Sequence, residues 1–378
     1  MLTRIYIDNY RCFVNFEFRP QPKQLILGVN GTGKSAFLEV LGQLRNFVVV
    51  KRGYRGEGLF TPETLTRWQT LPRQSFELEV TGNGGTYSYT LWIEVQDRQP
   101  RARVIKEALD FDGKPLALFQ EDQVQLFDDD HIQTANYPFD PVRSALAMVG
   151  PRRANSKLTW FKEWLERLYC LRIEPSQMEA EAKGEDEYPE DDLSNFAAWY
   201  RHISQEQTGS FIHLHRSLGE TLEGFDSLDL KRAGRTARIL RAAFSKPSGD
   251  DQSAPKKQRL EFDFDELSDG QRALIALYTL LHCAVLPDTT ICIDEPDNYL
   301  ALAEIQPWLF ALSDRIDDEG GQAILISHHP ELINLLAPQH GVLFSRTGGG
   351  PVRVEPYRPD ALGILSPSEQ IARGWERD

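Results

Sequence analysis

One eight-residue string constrains this chain more than any other: Gly28-Val29-Asn30-Gly31-Thr32-Gly33-Lys34-Ser35. It fits G-x-x-x-x-G-K-[ST], the pattern in which backbone N–H groups wrap phosphate oxygens and a lysine reaches the same phosphates. Its flanks fit as well. Leu25-Ile26-Leu27 is a short apolar run ending at Gly28, as a buried strand does, and Phe37, Val40, Leu41 and Leu44 then recur at helical spacing. A strand, a glycine loop and a helix N-terminus together form an anion site, because orphan N–H groups and the helix dipole both favour negative charge. The pattern predicts nucleotide contacts from Asn30, Gly31, Thr32, Gly33, Lys34, Ser35 and Ala36. Lys34 would reach the β and γ phosphates of ATP, and the Ser35 hydroxyl would ligate Mg2+.

Composition narrows the setting. At about 150 residues per domain, 378 residues suggest two or three domains. No apolar run approaches the roughly 18 residues of a membrane span, and Arg4, Asp8 and Arg11 interrupt the place where a signal peptide is apolar. The four cysteines (Cys12, Cys170, Cys283, Cys292) fit no zinc or disulfide spacing, so a reducing cytoplasm is the expected location, with no membrane partner. The formal charge of −14 repels a DNA backbone and excludes indiscriminate coating of nucleic acid; a local basic face stays open.

The first third reads as β-rich. Leu2, Ile5 and Ile7 open one strand, and Phe13, Phe16 and Phe18 follow with polar residues between. Phe76, Leu78 and Val80 alternate, Gly82-Asn83-Gly84-Gly85 turns, and Tyr87 to Val95 alternate again; a second pair flanks Asp112-Gly113-Lys114. The middle reads as mostly helical, with stripes at Phe161, Trp164, Leu165, Leu168 and at Phe196, Trp199, Tyr200, Ile203. Between them, residues 178–192 hold eight acids against one lysine and read as a solvated loop. Ser245 to Lys257 reads as a linker, and the last third returns to strand–helix alternation.

Three further strings carry chemistry. Ile291-Cys292-Ile293 is an apolar strand ending in Asp294 and Glu295, and ligands of open α/β sheets sit at such carboxyl ends. There Asp294 would hold Mg2+, through water or Ser35, and Glu295 would polarise the attacking water; a strand with an acidic turn is the plain alternative. Leu267-Ser268-Asp269-Gly270-Gln271 opens a helix carrying Leu274, Leu277, Leu281 and Ala284, and Ser268 is also a good N-cap. Ile326-Ser327-His328-His329-Pro330 follows another buried strand, where a histidine can equally be structural.

Taken in order, these strings resemble the ABC-type ATPases. Leu267 to Gln271 is similar to their L-S-G-G-Q signature, with Asp269 in place of the first glycine, and His328 stands where their switch histidine senses the γ-phosphate. The resemblance implies two protomers sandwiching two ATP molecules, with Ser268, Gly270 and Gln271 of one subunit facing the nucleotide held by the other. It makes Glu295, His328 and Lys34 the catalytic residues, and Asp297 and Asn298 a D-loop touching the opposite subunit. Gln69 and Gln74 are candidates for the Q-loop glutamine or plain surface residues.

Ile5 to Phe13 is similar to the opening strand of SMC, RecF and OLD ATPases, i-x-N-[FY]-[RK]-x-[FY], which implies that Arg11 lies near the nucleotide; a solvent-facing strand residue is the alternative. The 234 positions from Lys34 to Ser268 exceed the gap in transporter subunits, yet hold no sustained heptads for SMC coiled coils. Only 49 residues follow His329, too few for the TOPRIM nuclease domain of OLD proteins, so DNA cutting is expected from another chain.

The strings at 192–200, 266–274, 293–300 and 371–375 resemble the standalone ATPases of antiphage operons, the Septu PtuA-like group. The expected fold is therefore α/β, an ABC-type P-loop ATPase head with a mixed sheet and an antiparallel β subdomain. Its ATPase lobe would span 1–135 and 258–378, and a helical insertion lobe 136–257. The implied partners are a second copy, in a dimer or a higher oligomer, and an effector such as a nuclease or toxin. DNA is a further candidate ligand, through Lys231, Arg232, Arg235, Arg238 and Arg241 or through Arg152 and Arg153; a solvated face bridged to acids is the other reading. The rival functions are a RecF-like DNA-repair ATPase and an ATP-gated scaffold with negligible turnover.

Overall fold

Period-two alternation of apolar residues builds the first half of the chain. The computed structural model describes residues 1–49, 59–95, 102–245, 259–359 and 365–374. After β1 (Leu2–Asp8) and β2 (Phe16–Phe18) comes β3 (Lys23–Leu27), which feeds the glycine loop and α1 (Lys34–Val48). An antiparallel meander follows: β4 (Arg73–Gly82), β5 (Gly85–Glu94), β6 (Arg103–Phe111), β7 (Lys114–Gln120), β8 (Gln123–Phe127) and β9 (Gln133–Pro138). β1 lies between β2 and β4, completing an eight-stranded sheet.

The two expected hairpins are present, with Gly82 facing Gly85 and Phe111 facing Lys114. Their turns have positive φ at Asn83 (50°) and Asp112 (48°), which matches the right-handed twist of the strands. A third turn of the same kind uses Glu121 (54°) and Asp122 (57°) and contains no glycine. Across the sheet, α2 (Ser156–Glu166) stacks Trp160 on Tyr87 at 4.9 Å and sets Phe161 against Tyr89 at 5.6 Å. The Asp129 carboxylate accepts from the Ser156 and Lys157 amides and so caps that helix. β10 (Leu168–Arg172) follows, so Leu168 lies on a strand and not on the helical stripe.

Contacts divide the chain into two compact units, Met1–Cys170 with Pro287–Cys292 and Gly321–Asp378, and Leu171–Leu286 with Ile293–Gly320. This division differs from the lobes expected at 135 and 258. Residues 136–170 are held by the aromatic contacts of α2, which periodicity along one segment does not reveal.

The second unit holds β11 (Glu181–Ala182), α3 (Phe196–Glu206), α4 (Thr208–Thr221), β12 (Phe225–Ala233), β13 (Ala237–Ser245), β14 (Arg259–Asp263) and α5 (Asp269–Cys283). β15 (Thr290–Asp294) ends in it, and α6 (Leu302–Glu319) completes it. β13 pairs with β11, β12 and β14, so the insertion carries a sheet as well as helices. The expected stripe on α3 is buried at Phe196, Trp199, Tyr200 and Ile203, and the Tyr200 hydroxyl donates to the Leu228 carbonyl at 3.0 Å.

The acidic segment 178–192 departs from the solvated loop expected of it. Met178, Ala180 and Ala182 are buried, and Glu181–Ala182 pair with Arg238–Ile239. Small apolar residues at every second position anchor one edge while the acids point outward, and a count of charges averages that pattern away. The arginine-rich stretch lies on β12 and β13, where acids neutralise part of it: Lys231 reaches Glu261 at 3.9 Å and Arg241 reaches Asp263 at 2.5 Å. The expected linker lies outside the described residues beyond Ser245.

Burial, reinforced by the Arg315 and His213 charges, pulls the His282 imidazole on α5 down to about 4. Its Nε2 shares a hydrogen with the Ser217 hydroxyl at 2.9 Å. An unfolded chain takes up that proton near 6.5, before the folded one, so stability falls as pH drops from 6.5 to 4. Thermal unfolding midpoints should decline across that window, and His282→Gln should flatten the decline. An unchanged slope in the variant would remove His282 from the account.

The chain then returns to the first unit through β16 (Gln322–Ile326), α7 (Pro330–His340), β17 (Gly341–Ser345), β18 (Arg353–Pro356) and α8 (Pro367–Ala372). A second sheet runs β10-β15-β16-β3-β17-β18; β10 and β15 cross from one unit into the other part-way along their length. β16 and β17 are parallel to β3, with Leu325 beside Leu25 and Val342 beside Ile26, whereas β18 is antiparallel, so the sheet is mixed. Gln322, fully buried, joins the two sheets: its amide donates to Leu2 and Gln21 carbonyls and its oxygen accepts from the Leu2 amide and the Thr290 hydroxyl. Phe18, Phe37 and Phe344 close the core around α1 in edge-on contacts of 5.5 to 5.9 Å. No helix among the described residues is long and apolar enough to cross a membrane.

Candidate functional site

The glycine string between β3 and α1 forms a tight loop. Gly28 (φ 143°) and Gly33 (φ 93°) lie where L side chains rarely go. Space excludes a side chain there as well: a Cβ on Gly28 would stand 2.3 Å from the Phe344 carbonyl oxygen, and one on Gly33 would stand 2.7 Å from Cys12 Sγ. Gly33 is also the left-handed N-cap of α1, with no side chain over the first helical amides. Lys34 is buried and folds back over the loop, its Nζ donating to the Gly28 carbonyl at 2.6 Å and the Val29 carbonyl at 3.2 Å. Thr32 Oγ1 closes the loop by donating to Val29 at 2.8 Å. Asn30 and Gly31 sit at the crest, and Ser35 and Ala36 begin the first turn of α1.

Arg11 stands beside this loop, in the turn after β1, with φ 46°. Its guanidinium pairs with Glu39 on α1 at 2.6 Å, and the Tyr10 hydroxyl donates to the same carboxylate at 3.0 Å. Arg11 is therefore tied to the helix that follows the glycines. Of the two Q-loop candidates, Gln74 is buried and its amide serves Asn9 and Thr64, whereas Gln69 lies near the surface and holds Asp8 at 2.8 Å. The adjacent histidines have separate jobs. His329 caps α7, its Nδ1 accepting from the Glu331 amide, while His328 is exposed just past β16. Elsewhere in this unit Arg152 and Arg153 line an open cavity of about 550 Å³ beside Asn83 and Trp160.

A residue that pattern reading passed over touches the same loop, and a second lies against that residue. Arg346, after β17, donates through Nη1 to the Gly31 carbonyl at 2.9 Å, and its guanidinium lies 5.3 Å from the ring centre of Trp68. Trp68 is 43% exposed. Neither belongs to a periodic run, so only the fold brings them to the glycines.

In the second unit, Ser268 caps α5 in a reciprocal box: its Oγ accepts from the Gln271 amide at 3.3 Å, and Gln271 Oε1 accepts from the Ser268 amide at 3.1 Å. The N-cap alternative thus accounts for part of this string. Asp269, where the signature has glycine, pairs with Arg272 at 2.6 Å, which offsets its charge at the helix N-terminus. Gly270 approaches the Tyr299 carbonyl so closely that a Cβ would stand 2.8 Å from it, so the signature string and the turn after Glu295 pack together. Asp294 is buried at the end of β15. Glu295 follows in the left-handed region (φ 52°), its carboxylate accepting from the Asn298 side-chain amide at 2.8 Å. Such a backbone costs about 1 kcal/mol or more and clusters at functional sites.

A mixed sheet with the glycine loop after its strand β3, together with an antiparallel meander, gives an SMC head-like fold. The structure of an SMC head bound to the C-winged helix domain of ScpA superposes with TM-score 0.50 at 12% identity, covering 94% of this chain and 98% of that one. The SMC head domain from Thermotoga maritima gives TM-score 0.46 at 13% identity, covering 95% and 99%. Residues 184–334 match a model of the family described as "AAA domain, putative AbiEii toxin, Type IV TA system". No curated protein matches the chain. The family match covers less than half of the chain, and the likeness to the SMC head is one of fold.

Proposed function

We propose that this chain binds ATP, hydrolyses it and dimerises around it, and that this cycle licenses a partner effector, such as a nuclease, in bacterial antiphage defence. The observation that carries the ATP reading is the loop from Gly28 to Ser35: a cradle that a Cβ would fill at two glycines, an ammonium already curled over it, and a helix start with no side-chain cap. Those residues fit a triphosphate. Lys34 exchanges its loop carbonyls for phosphate oxygens, and the first amides of α1 donate to the same group. Ser35 and Asp294 are the residues that would hold a Mg2+ ion, which would supply neutralising charge to the phosphates.

Glu295 orients and polarises the attacking water, and His328 responds to the terminal phosphate. Ser268 and Gln271 order the first turn of α5, whose amides would face the nucleotide of the second protomer, and Arg272 keeps the Asp269 carboxylate from repelling it. Two lines support a partner. The matched family is described by a putative toxin and a type IV TA system, and the SMC head above is bound to the C-winged helix domain of ScpA.

Steady-state phosphate release by the purified chain tests this reading, with and without double-stranded DNA. Mg2+-dependent turnover indifferent to DNA is the expected result. Turnover that rises with DNA and falls with salt would replace the effector reading with a RecF-like one. An ATP-dependent complex that leaves its nucleotide intact for hours would replace it with a scaffold.

A further inference from the structure

We infer that Trp68 is the base-stacking residue of the nucleotide site, held in place by Arg346, so that the site grips a nucleoside triphosphate by its base and not merely by its chain of phosphates. The inference rests on the ATP reading above. Every component lies in the first unit. Trp68 sits in residues 59–72, before β4, and residues 64–69 are fastened along the turn after β1: the Thr66 amide donates to the Asn9 side chain, the Arg11 amide donates to the Thr64 carbonyl at 2.6 Å, and Gln69 holds Asp8. The indole therefore sits on an anchored loop beside Arg11 and the glycines.

Arg346 supplies the register. Its Nε donates to Gly350 at 2.7 Å, its Nη2 to Gly349 at 2.9 Å and its Nη1 to Gly31 at 2.9 Å. With three donors committed to backbone carbonyls, the guanidinium is fixed, and its central carbon lies over the indole, 5.3 Å from the ring centre. This stack covers one side of the ring and ties it to the phosphate loop through a single side chain. The ring still exposes 43% of its surface, high for a tryptophan outside an interface. An open aromatic face, rigidly spaced from a phosphate cradle, matches a nucleotide with its base at one end and its phosphates at the other. Base–aromatic stacking is tolerant of base identity, because every base has a π-face. Arg346 is a positioning residue and Trp68 the contact residue.

Calorimetric titration of the full chain with Mg2+-ATP and with Mg2+-tripolyphosphate, which has phosphates and no base, tests the assignment. Trp68→Ala should weaken ATP binding by about 5- to 150-fold while leaving tripolyphosphate within about twofold, and Trp68→Phe should retain most of the ATP affinity. Arg346→Lys, which keeps the charge and loses the three-pronged hold, should narrow the ratio of the two affinities. An ATP affinity unchanged in Trp68→Ala, or an equal loss for both ligands, overturns the inference while the phosphate loop stands. Failure of the unaltered chain to bind either ligand overturns the ATP reading and this inference with it.

Discussion

Glu295→Gln is expected to lower steady-state ATP turnover by about 10²- to 10⁴-fold, the usual contribution of a positioned general base, with ATP affinity changed by less than about threefold. The substitution keeps the size of the side chain and an oxygen that can accept from Asn298, so the turn after β15 retains its bond. What it removes is the charge that polarises water. Binding without turnover should also hold the ATP sandwich closed, and size-exclusion chromatography in ATP should show the variant as a persistent dimer where the unaltered chain exchanges. A variant that releases phosphate at the normal rate would transfer the base to another residue.

Lys34→Ala should act at the earlier step. Removing one partner of a desolvated, hydrogen-bonded charge pair costs about 2–5 kcal/mol, so ATP affinity should fall by about 30- to 5,000-fold, with turnover falling alongside. The loop has its own stake in this lysine, because Nζ is the donor on the Gly28 and Val29 carbonyls. Some of the loss will therefore reflect a slackened cradle. Lys34→Arg separates the parts: it keeps the charge but overfills a buried position that is 7% exposed. If Lys34→Ala bound ATP as tightly as the unaltered chain, the glycine loop would not be the nucleotide site.

The parts legible from sequence were those in which neighbours along the chain suffice. The glycine string, the turns at Asn83 and Asp112 and the stripe from Phe196 to Ile203 all depend on spacing within a dozen residues. What stayed hidden depends on distant pairing. Glu181 and Ala182 became a strand because β13 lies beside them, and Leu168 left its helical stripe because a sheet accepts it. Trp68 meets Arg346 only once β17 has joined β3. At Ser268 the difficulty was of another kind: one side chain serves as cap and as candidate ligand contact, and both readings predict the same residue.

The pairing of β3 also fixes when nucleotide competence arrives during synthesis. Both neighbours of this strand, Gln322–Ile326 and Gly341–Ser345, emerge about 300 residues after it. At 5–20 residues per second the phosphate loop waits roughly 15–60 s on a strand with both edges bare. The meander meanwhile closes through local hairpins. A ribosome that stalls before residue 341 thus releases a fragment with sound hairpins and an open apolar edge, more prone to aggregate than to bind ATP at reduced strength.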